Sequence, residues 1–192
     1  MQYVVIYLHG FLSSPQSQKA TQTLEFVKGD YPNLTFEVPQ LGNYPKEAEV
    51  IIEQLIVKHK DKKIRFIGSS LGGFLSTFML EKYSGKAVLI NPAVRPFELL
   101  VDYLGENINP YTQQTFFLEN KHVDELRQLD TPTLKSTSDY WVLLQTDDET
   151  LDYRQAAMKY HDHKVTVEQG GDHSFQGFQG FLPDIFRFLL QD

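Results

Sequence analysis

Short apolar runs alternate along this chain with segments whose apolar residues recur at helical spacing. Tyr3–Leu8 is almost wholly apolar, as expected for a strand that is covered on both faces. Strands that alternate with helical segments are typical of βα units around a mostly parallel sheet. We therefore predict an α/β fold. Its strands are expected at Tyr3–Leu8 and at residues 35–38, 64–67, 87–90, 140–145 and 164–167, with a closing helix over residues 181–189.

The length of 192 residues fits a single domain, residues 1–192. One interval breaks the alternation, because residues 93–138 carry patchy helical signals but no strand signal. A structureless loop of that length is uncommon inside a compact domain. We therefore expect an inserted helical pair before the fifth strand. It is expected either to lie over the carboxyl edge of the sheet as a partial lid or merely to cover one face of the sheet.

The composition excludes several classes of function. There is no cysteine, which rules out thiol catalysis, cysteine-based zinc sites and disulfide bonds. The net charge is −7 and the 18 Lys and Arg residues are scattered, so we expect no nucleic-acid partner. No apolar run reaches the roughly 18 residues that a membrane span needs. No basic segment precedes the first strand. We therefore expect a cytoplasmic protein with no membrane span, and the sequence does not predict its oligomeric state.

A glycine-rich turn directly follows the strand predicted at residues 64–67. Residues 68–72 read Gly-Ser-Ser-Leu-Gly, which matches the G-x-S-x-G nucleophile elbow, where a strand turns sharply into a helix. Small residues are needed on both sides of the serine because the backbone there is strained and tightly packed. Apolar residues at helical spacing follow Ser70. We predict Ser70 as a nucleophile above the carboxyl edge of the sheet; the alternative is a glycine-rich turn with a bystander serine.

A serine nucleophile requires a general base, and the base requires an acid that orients it. In the α/β-hydrolase arrangement the chain order is serine, acid, histidine. Asp147 and Asp148 follow the strand at residues 140–145, and His173 follows the strand at residues 164–167. These positions lie at carboxyl ends of strands, where open parallel sheets bind ligands. We predict His173 as the base, and the residues alone leave either aspartate as the acid.

The five other histidines are predicted to have no part in the chemistry. His9 is expected to support the turn after the first strand, and His59 and His122 fall in polar helical stretches where we expect exposure to solvent. His161 and His163 have the spacing of a metal pair. Because no Glu or further His stands at ligand spacing beside them, we predict no metal site.

Acyl chemistry on serine also needs hydrogen-bond donors for the oxyanion of the tetrahedral intermediate. The backbone amide of Leu71 follows the nucleophile at the start of a helix and is the first expected donor. The second is expected from the loop after the first strand, where the amide of Phe11 follows Gly10. We therefore predict an oxyanion hole made by Phe11 and Leu71.

Six blocks that span nearly the whole chain carry a further signal, and they comprise residues 7–11, 13–15, 68–73, 91–96, 144–154 and 171–175. Together these blocks resemble the small α/β-hydrolase-fold esterases of the YqiA type found in bacteria. The resemblance implies Ser70 as nucleophile and His173 as base. It also favours Asp148 as the acid, because the family's turn usually reads Gly-Asp-Glu where this chain has Asp147-Asp148-Glu149.

The resemblance further implies a reduced α/β-hydrolase fold. The expected sheet has six mostly parallel strands in the order 2-1-3-4-5-6, with helices on both faces and without the two leading antiparallel strands of larger relatives. The implied activity is that of a serine esterase, which hydrolyses small-molecule acyl esters or acyl thioesters through an acyl-enzyme and needs no cofactor. The alternatives are an acyl-CoA thioesterase or a peptidase on the same triad, or a non-catalytic binding module that retains the fold.

Overall fold

A six-stranded parallel sheet with helices on both faces forms the framework of the protein. The computed structural model describes residues 2–135 and 139–191. Single-turn 3₁₀ helices span Leu100–Tyr103 and Phe178–Phe181. In chain order, the strands and α-helices are β1 (Tyr3–Leu8), α1 (Gln18–Asp30), β2 (Thr35–Glu37), α2 (Pro45–Lys58), β3 (Lys63–Ser69), α3 (Leu71–Tyr83), β4 (Lys86–Ile90), α4 (Pro96–Leu99), β5 (Gly105–Ile108), β6 (Thr115–Leu118), α5 (Asn120–Gln128), β7 (Asp139–Gln145), α6 (Tyr153–Lys159), β8 (Lys164–Glu168) and α7 (Leu182–Leu190).

The order of strands in this sheet is β2-β1-β3-β4-β7-β8, and each neighbouring pair is parallel. Because β5 and β6 pair with each other outside this sheet, the observed order is the predicted 2-1-3-4-5-6. The prediction of a reduced α/β-hydrolase sheet is therefore confirmed. All six strands run in one direction, so their carboxyl ends, including those of β1, β3, β7 and β8, meet at one edge.

The sheet separates two apolar cores. Even-numbered residues of β1 from Val4 to Leu8 pack into one core, and odd-numbered residues from Tyr3 to Tyr7 pack into the other. Successive side chains of a strand point to opposite faces, so a strand that is covered on both sides carries apolar residues throughout. This is the physical reason for the uninterrupted apolar runs in the sequence.

The first helix begins later than the sequence suggests. Ser14 and Pro15 match a helix N-terminus, yet α1 begins at Gln18. The Ser14 hydroxyl instead accepts a hydrogen bond from the Gln16 amide at 3.0 Å, and the Ser17 amide donates to the Ser14 carbonyl at 3.1 Å. Ser14 therefore stabilises a turn that precedes the helix.

The segment between β4 and β7 contains the predicted helical insertion and also a hairpin that the sequence did not indicate. The helices are α4, the 3₁₀ turn that follows it, and α5, while β5 and β6 form an antiparallel pair between them. The prediction that this interval contains no strand is therefore wrong. The expected boundary at residue 138 lies outside the described residues. Each strand has only four residues, too few to give a clear alternation.

Local contacts fix this hairpin to the rest of the protein. The side-chain oxygen of Asn109 accepts hydrogen bonds from the amides of Tyr111 and Thr112 at 2.9 and 3.2 Å, which closes the turn. The side-chain amide of Asn109 donates to the Ser13 carbonyl at 3.2 Å, in the loop after β1. Phe116 faces inward and is buried. The hairpin therefore packs next to the loop in which the sequence places an oxyanion donor.

No helix within residues 2–135 and 139–191 is long and apolar enough to cross a membrane.

Candidate active site

Ser70 lies in a sharp turn between β3 and α3. Its backbone has φ = 54° and ψ = −118°, a combination that residues with a side chain rarely adopt. A Cβ atom at Gly68 would collide with the Gly72 carbonyl and the Ser76 hydroxyl, and a Cβ at Gly72 would collide with the Leu8 carbonyl. The glycines of the motif are thus required by the close packing of the turn against α3 and β1.

Three side chains that are far apart in sequence meet at this turn. The Oγ atom of Ser70 lies 3.0 Å from Nε2 of His173. Nδ1 of His173 lies 2.8 and 3.0 Å from the two carboxylate oxygens of Asp148. Because an ionised carboxylate only accepts hydrogen bonds, Nδ1 carries the proton and Nε2 is left to accept from the Ser70 hydroxyl. A continuous chain of hydrogen bonds therefore joins the serine to the aspartate.

The structure brings Asp148, and not its neighbour Asp147, against the histidine. The Asp148 side chain is only 1% exposed, and its Oδ1 also accepts from the amides of Thr150 and Leu151 at 2.9 and 2.8 Å. Asp147 is exposed, and its carboxylate accepts from the hydroxyl of Thr146 at 3.1 Å. The two aspartates, which the sequence alone could not separate, thus have different surroundings.

Two buried amide side chains hold the loop that carries His173. The Oε1 atom of Gln145 accepts from the amides of Asp172 and Gln176 at 3.1 and 2.8 Å, and its Nε2 donates to the Gln176 carbonyl at 2.8 Å. Nδ2 of Asn91 donates to the carbonyls of Asp172 and His173 at 3.0 and 3.3 Å. Sequence reasoning missed both residues. They follow or end strands β4 and β7, so a polar residue at a strand's carboxyl end is the only local signal.

Lys19 is a third residue near the site that the sequence did not single out. Its ammonium group donates to the Ser174 carbonyl at 2.7 Å, from α1 to the histidine loop. Burial lowers the pKa of Lys19 to about 8, against the opposing effect of the Asp172 and Asp148 carboxylates. A cation that is partly removed from water thus lies beside the acidic end of the hydrogen-bond chain.

The two amides predicted as oxyanion donors both border the space in front of Ser70. Phe11 and Leu71 line the same cavity as Ser70, and neither amide donates a hydrogen bond to another of the described residues. A Cβ atom on Gly10 would lie 3.9 Å from Oγ of Ser70, so the backbone before Phe11 passes close to the serine. Both amides are therefore available to a ligand at this position.

His9 fixes the backbone next to Phe11. Its Nδ1 donates to the Gly10 carbonyl at 2.9 Å, and its Nε2 accepts from the Leu41 amide at 3.2 Å. Burial lowers the pKa of His9, which favours the neutral ring that this pair of bonds requires. Because the carbonyl and the following amide share one peptide plane, holding the Gly10 carbonyl also orients the Phe11 amide. This agrees with the supporting role predicted for His9.

The predicted exposure of His59 and His122 is wrong, since both are buried. His59 pairs with the Glu37 carboxylate at 2.7 Å. Nδ1 of His122 accepts from the Glu119 amide at 2.9 Å in a capping box at the start of α5, and its ring stacks on Tyr44. Polar helical stretches thus conceal two histidines with structural partners.

The described residues contain no group of three or more His, Cys, Asp or Glu side chains that could hold a metal ion. Nε2 of His161, one of the two histidines with the spacing of a metal pair, lies 3.2 Å from a carboxylate oxygen of the adjacent residue Asp162.

A cavity of about 390 Å³ opens beside Ser70, and the insertion forms much of its wall. The size falls within the range of roughly 300 to 1,000 Å³ that is usual for small-molecule sites. Pro96, Leu99, Leu100, Tyr103 and Leu126 contribute from the insertion. The strained serine, its histidine and aspartate partners, two available amides and an apolar cavity together form an arrangement that can perform nucleophilic acyl chemistry.

A comparison with known families assigns the chain to one of them. Residues 4–190 match the family model of the uncharacterised protein family UPF0227. The chain belongs to UPF0227. This family is YqiA-like, so the resemblance read from the sequence blocks is confirmed.

Solved structures with the same fold share little sequence with this UPF0227 member. Est1E from Butyrivibrio proteoclasticus is 13% identical with a TM-score of 0.73, and the match covers 97% of this chain and 86% of that one. Mouse alpha/beta hydrolase domain-containing protein 10 is 16% identical with a TM-score of 0.70, covering 93% and 86%. The esterase domain of a Rhodothermus marinus protein is 15% identical with a TM-score of 0.67, covering 96% and 84%. At these identities the likeness establishes the α/β-hydrolase fold.

Proposed function

We propose that this protein is a serine hydrolase that cleaves carboxylic acyl esters or acyl thioesters of small molecules. The observation that carries the proposal is the chain of hydrogen bonds from Ser70 through His173 to Asp148, at a strained turn beside an apolar cavity. An isolated serine hydroxyl is a weak nucleophile, and a neighbouring base held in one tautomer activates it. The α/β-hydrolase fold and the esterase domain among its structural neighbours support the same class of reaction.

In the proposed reaction, Ser70 Oγ attacks the acyl carbonyl carbon while Nε2 of His173 takes the hydroxyl proton. The carbonyl oxygen becomes an oxyanion that accepts hydrogen bonds from the amides of Phe11 and Leu71. As the tetrahedral intermediate collapses, His173 gives its proton to the leaving alcohol or thiol. The acyl group stays on Ser70 until water, deprotonated by His173, hydrolyses it and regenerates the serine. Asp148 stays ionised and stabilises the imidazolium that forms twice in the cycle.

The insertion is proposed to act as a partial lid in this reaction. Leu99 and Tyr103 line the cavity beside Ser70 and are also partly exposed, at 40% and 44%. A segment with one side in the cavity and the other in solvent can limit the access of water to the acyl-enzyme. The cytoplasmic location and the lack of a nucleic-acid partner stay predictions from composition.

Turnover of p-nitrophenyl butyrate and butyryl-CoA by the purified protein tests the proposal. The wild type should hydrolyse at least one of them, with a burst of p-nitrophenol if deacylation is slow. Ser70→Ala should lose this activity, while Ser69→Ala, one residue earlier and outside the hydrogen-bond chain, should retain most of it. A peptidase on the same residues would cleave peptide substrates in addition to these activated esters, because a triad that cleaves amides also cleaves the more reactive esters. A binding module with this fold would cleave none of them.

A further inference from the structure

The cavity beside Ser70 lies on one side of the proposed reaction centre. It is lined by Ser70 and by both proposed oxyanion residues, Phe11 and Leu71, but among the described residues His173 does not line it. The leaving group must contact Nε2 of His173 to receive its proton, so it occupies the side of the serine that faces the histidine. The cavity, whose lining among the described residues does not include His173, is then left for the acyl part of the substrate.

The chemistry of the cavity wall selects a particular kind of acyl group. Most of the lining side chains are aliphatic, and Asp102 is the one charged residue among the described residues that line it. A carboxylate disfavours an acyl chain that ends in a second carboxylate. The two lining aromatic rings, Phe11 and Tyr103, contact each other edge to face with 5.1 Å between centroids. The surface offered to a ligand is therefore largely aliphatic and suits an uncharged alkyl chain.

Two leucines that line this cavity also belong to the apolar core. Leu100 and Leu126 are 6% and 1% exposed, and both line a second, smaller cavity of about 40 Å³ as well as the first. The smaller cavity reaches Leu75 and Leu118 in the apolar core. Together with Phe11 and Leu71, Leu100 and Leu126 thus form part of a shared wall between the cavity beside Ser70 and the smaller cavity.

We propose that the larger cavity binds an unbranched, uncharged alkyl acyl chain, and that Leu100 and Leu126 set the longest chain that fits. The inference rests on the proposed function, because it assigns the acyl part of the substrate to a place in the same site. Shortening either leucine joins the two cavities and lengthens the channel. Enlarging Leu126 shortens it.

The test is the ratio kcat/KM for p-nitrophenyl esters from acetate to dodecanoate, measured on the wild type and variants. Leu126→Ala is expected to move the longest well-cleaved chain upward by about two to four carbons, since it removes most of a side chain and leaves a cavity behind. Leu126→Phe is expected to move it downward by a similar amount. Leu129→Ala is the matched control, because Leu129 is a buried leucine at the end of the same helix that lines neither cavity.

Leu100→Ala is a second, independent probe, which keeps the inference testable if Leu126→Ala does not fold. Thermal unfolding and activity on the acetate ester show whether each variant is folded and retains its chemistry. An unchanged chain-length profile in folded, active Leu100→Ala and Leu126→Ala would overturn the inference and leave the proposed function intact. A wild type that prefers a feruloyl ester over every alkyl ester would also overturn the inference. A wild type that cleaves no ester or thioester would contradict the proposed function itself.

Discussion

The side-chain oxygen of Asn91 accepts a hydrogen bond from the backbone amide of Gln145 at 3.0 Å. This bond links the residue that follows β4 to the end of β7, and both side chains then bind the loop of His173. The backbone of Asn91 has a φ of 40°, a left-handed conformation that asparagine tolerates better than most residues. The histidine is therefore held by the ends of two central strands as well as by its own loop.

Gln145→Met should lower kcat by about 10- to 100-fold, because the Asp172 and Gln176 amides lose their acceptor and small displacements of a catalytic group are costly. KM should change little, since Gln145 does not line the cavity beside Ser70. Steady-state kinetics measure the two separately. Gln145→Glu keeps the acceptor oxygens and should recover part of kcat, and Gln179→Met, at an exposed glutamine, should behave as wild type. An unchanged kcat in Gln145→Met would show that the loop holds the histidine without this side chain.

Asp148→Asn should lower kcat on the order of 10³- to 10⁴-fold, because an amide can donate to Nδ1 and stabilise the wrong tautomer of His173. Asp147→Asn makes the same chemical change one residue earlier, at an exposed side chain, and should stay within about tenfold of the wild type. Comparing kcat of the two variants at pH 7.5 is the measurement. The reverse ranking would assign the acid to Asp147.

Lys19→Met should change how stability depends on pH. Lysine has a pKa of 10.5 in the unfolded chain and about 8 in the folded protein. Below pH 8 the folded state bears the cost of the buried charge. Between pH 8 and 10.5 the folded protein has lost the proton and the unfolded chain has not, so this cost falls. Above pH 10.5 both states are neutral and the cost is absent. The free energy of unfolding of the wild type, relative to Lys19→Met, should therefore rise by about 2 to 3 kcal/mol between about pH 7 and 10.

Urea unfolding of both proteins at the two pH values measures this difference. Lys28→Met, at an exposed lysine on the same helix, should show no such change relative to the wild type. A difference between wild type and Lys19→Met that is independent of pH would mean that Lys19 keeps its ordinary pKa.

The sheet, Ser70 and His173 could be predicted from the sequence because each leaves a local signal. Buried parallel strands are continuous apolar runs, and the turn at Ser70 requires glycines at fixed positions for steric reasons. The histidine follows from chain order once the serine is known. Asp148 could be separated from Asp147 only by the resemblance, because a shift of one residue in a turn exchanges a buried side chain for an exposed one.

Other features could not be predicted because their partners are distant in the sequence. Asn91 binds a carbonyl 81 positions away and Lys19 binds one 155 positions away, so the neighbouring residues do not identify either partner. The hairpin of β5 and β6 is short, and tertiary contacts such as the bond from Asn109 to Ser13 hold it in place. The predicted exposure of His122 is wrong because its polar neighbours indicate an exposed helix, whereas its ring caps the start of that helix.

The most direct test of the central proposal is covalent labelling of the folded protein with an alkyl fluorophosphonate, followed by mass spectrometry of its peptides. The reagent phosphonylates a serine only when a base activates the hydroxyl. We expect one adduct on Ser70, formed in the wild type, absent in Ser70→Ala and strongly slowed in His173→Ala. Failure of the folded wild type to react, or an adduct on any other residue that persists in Ser70→Ala, would contradict Ser70 as the nucleophile.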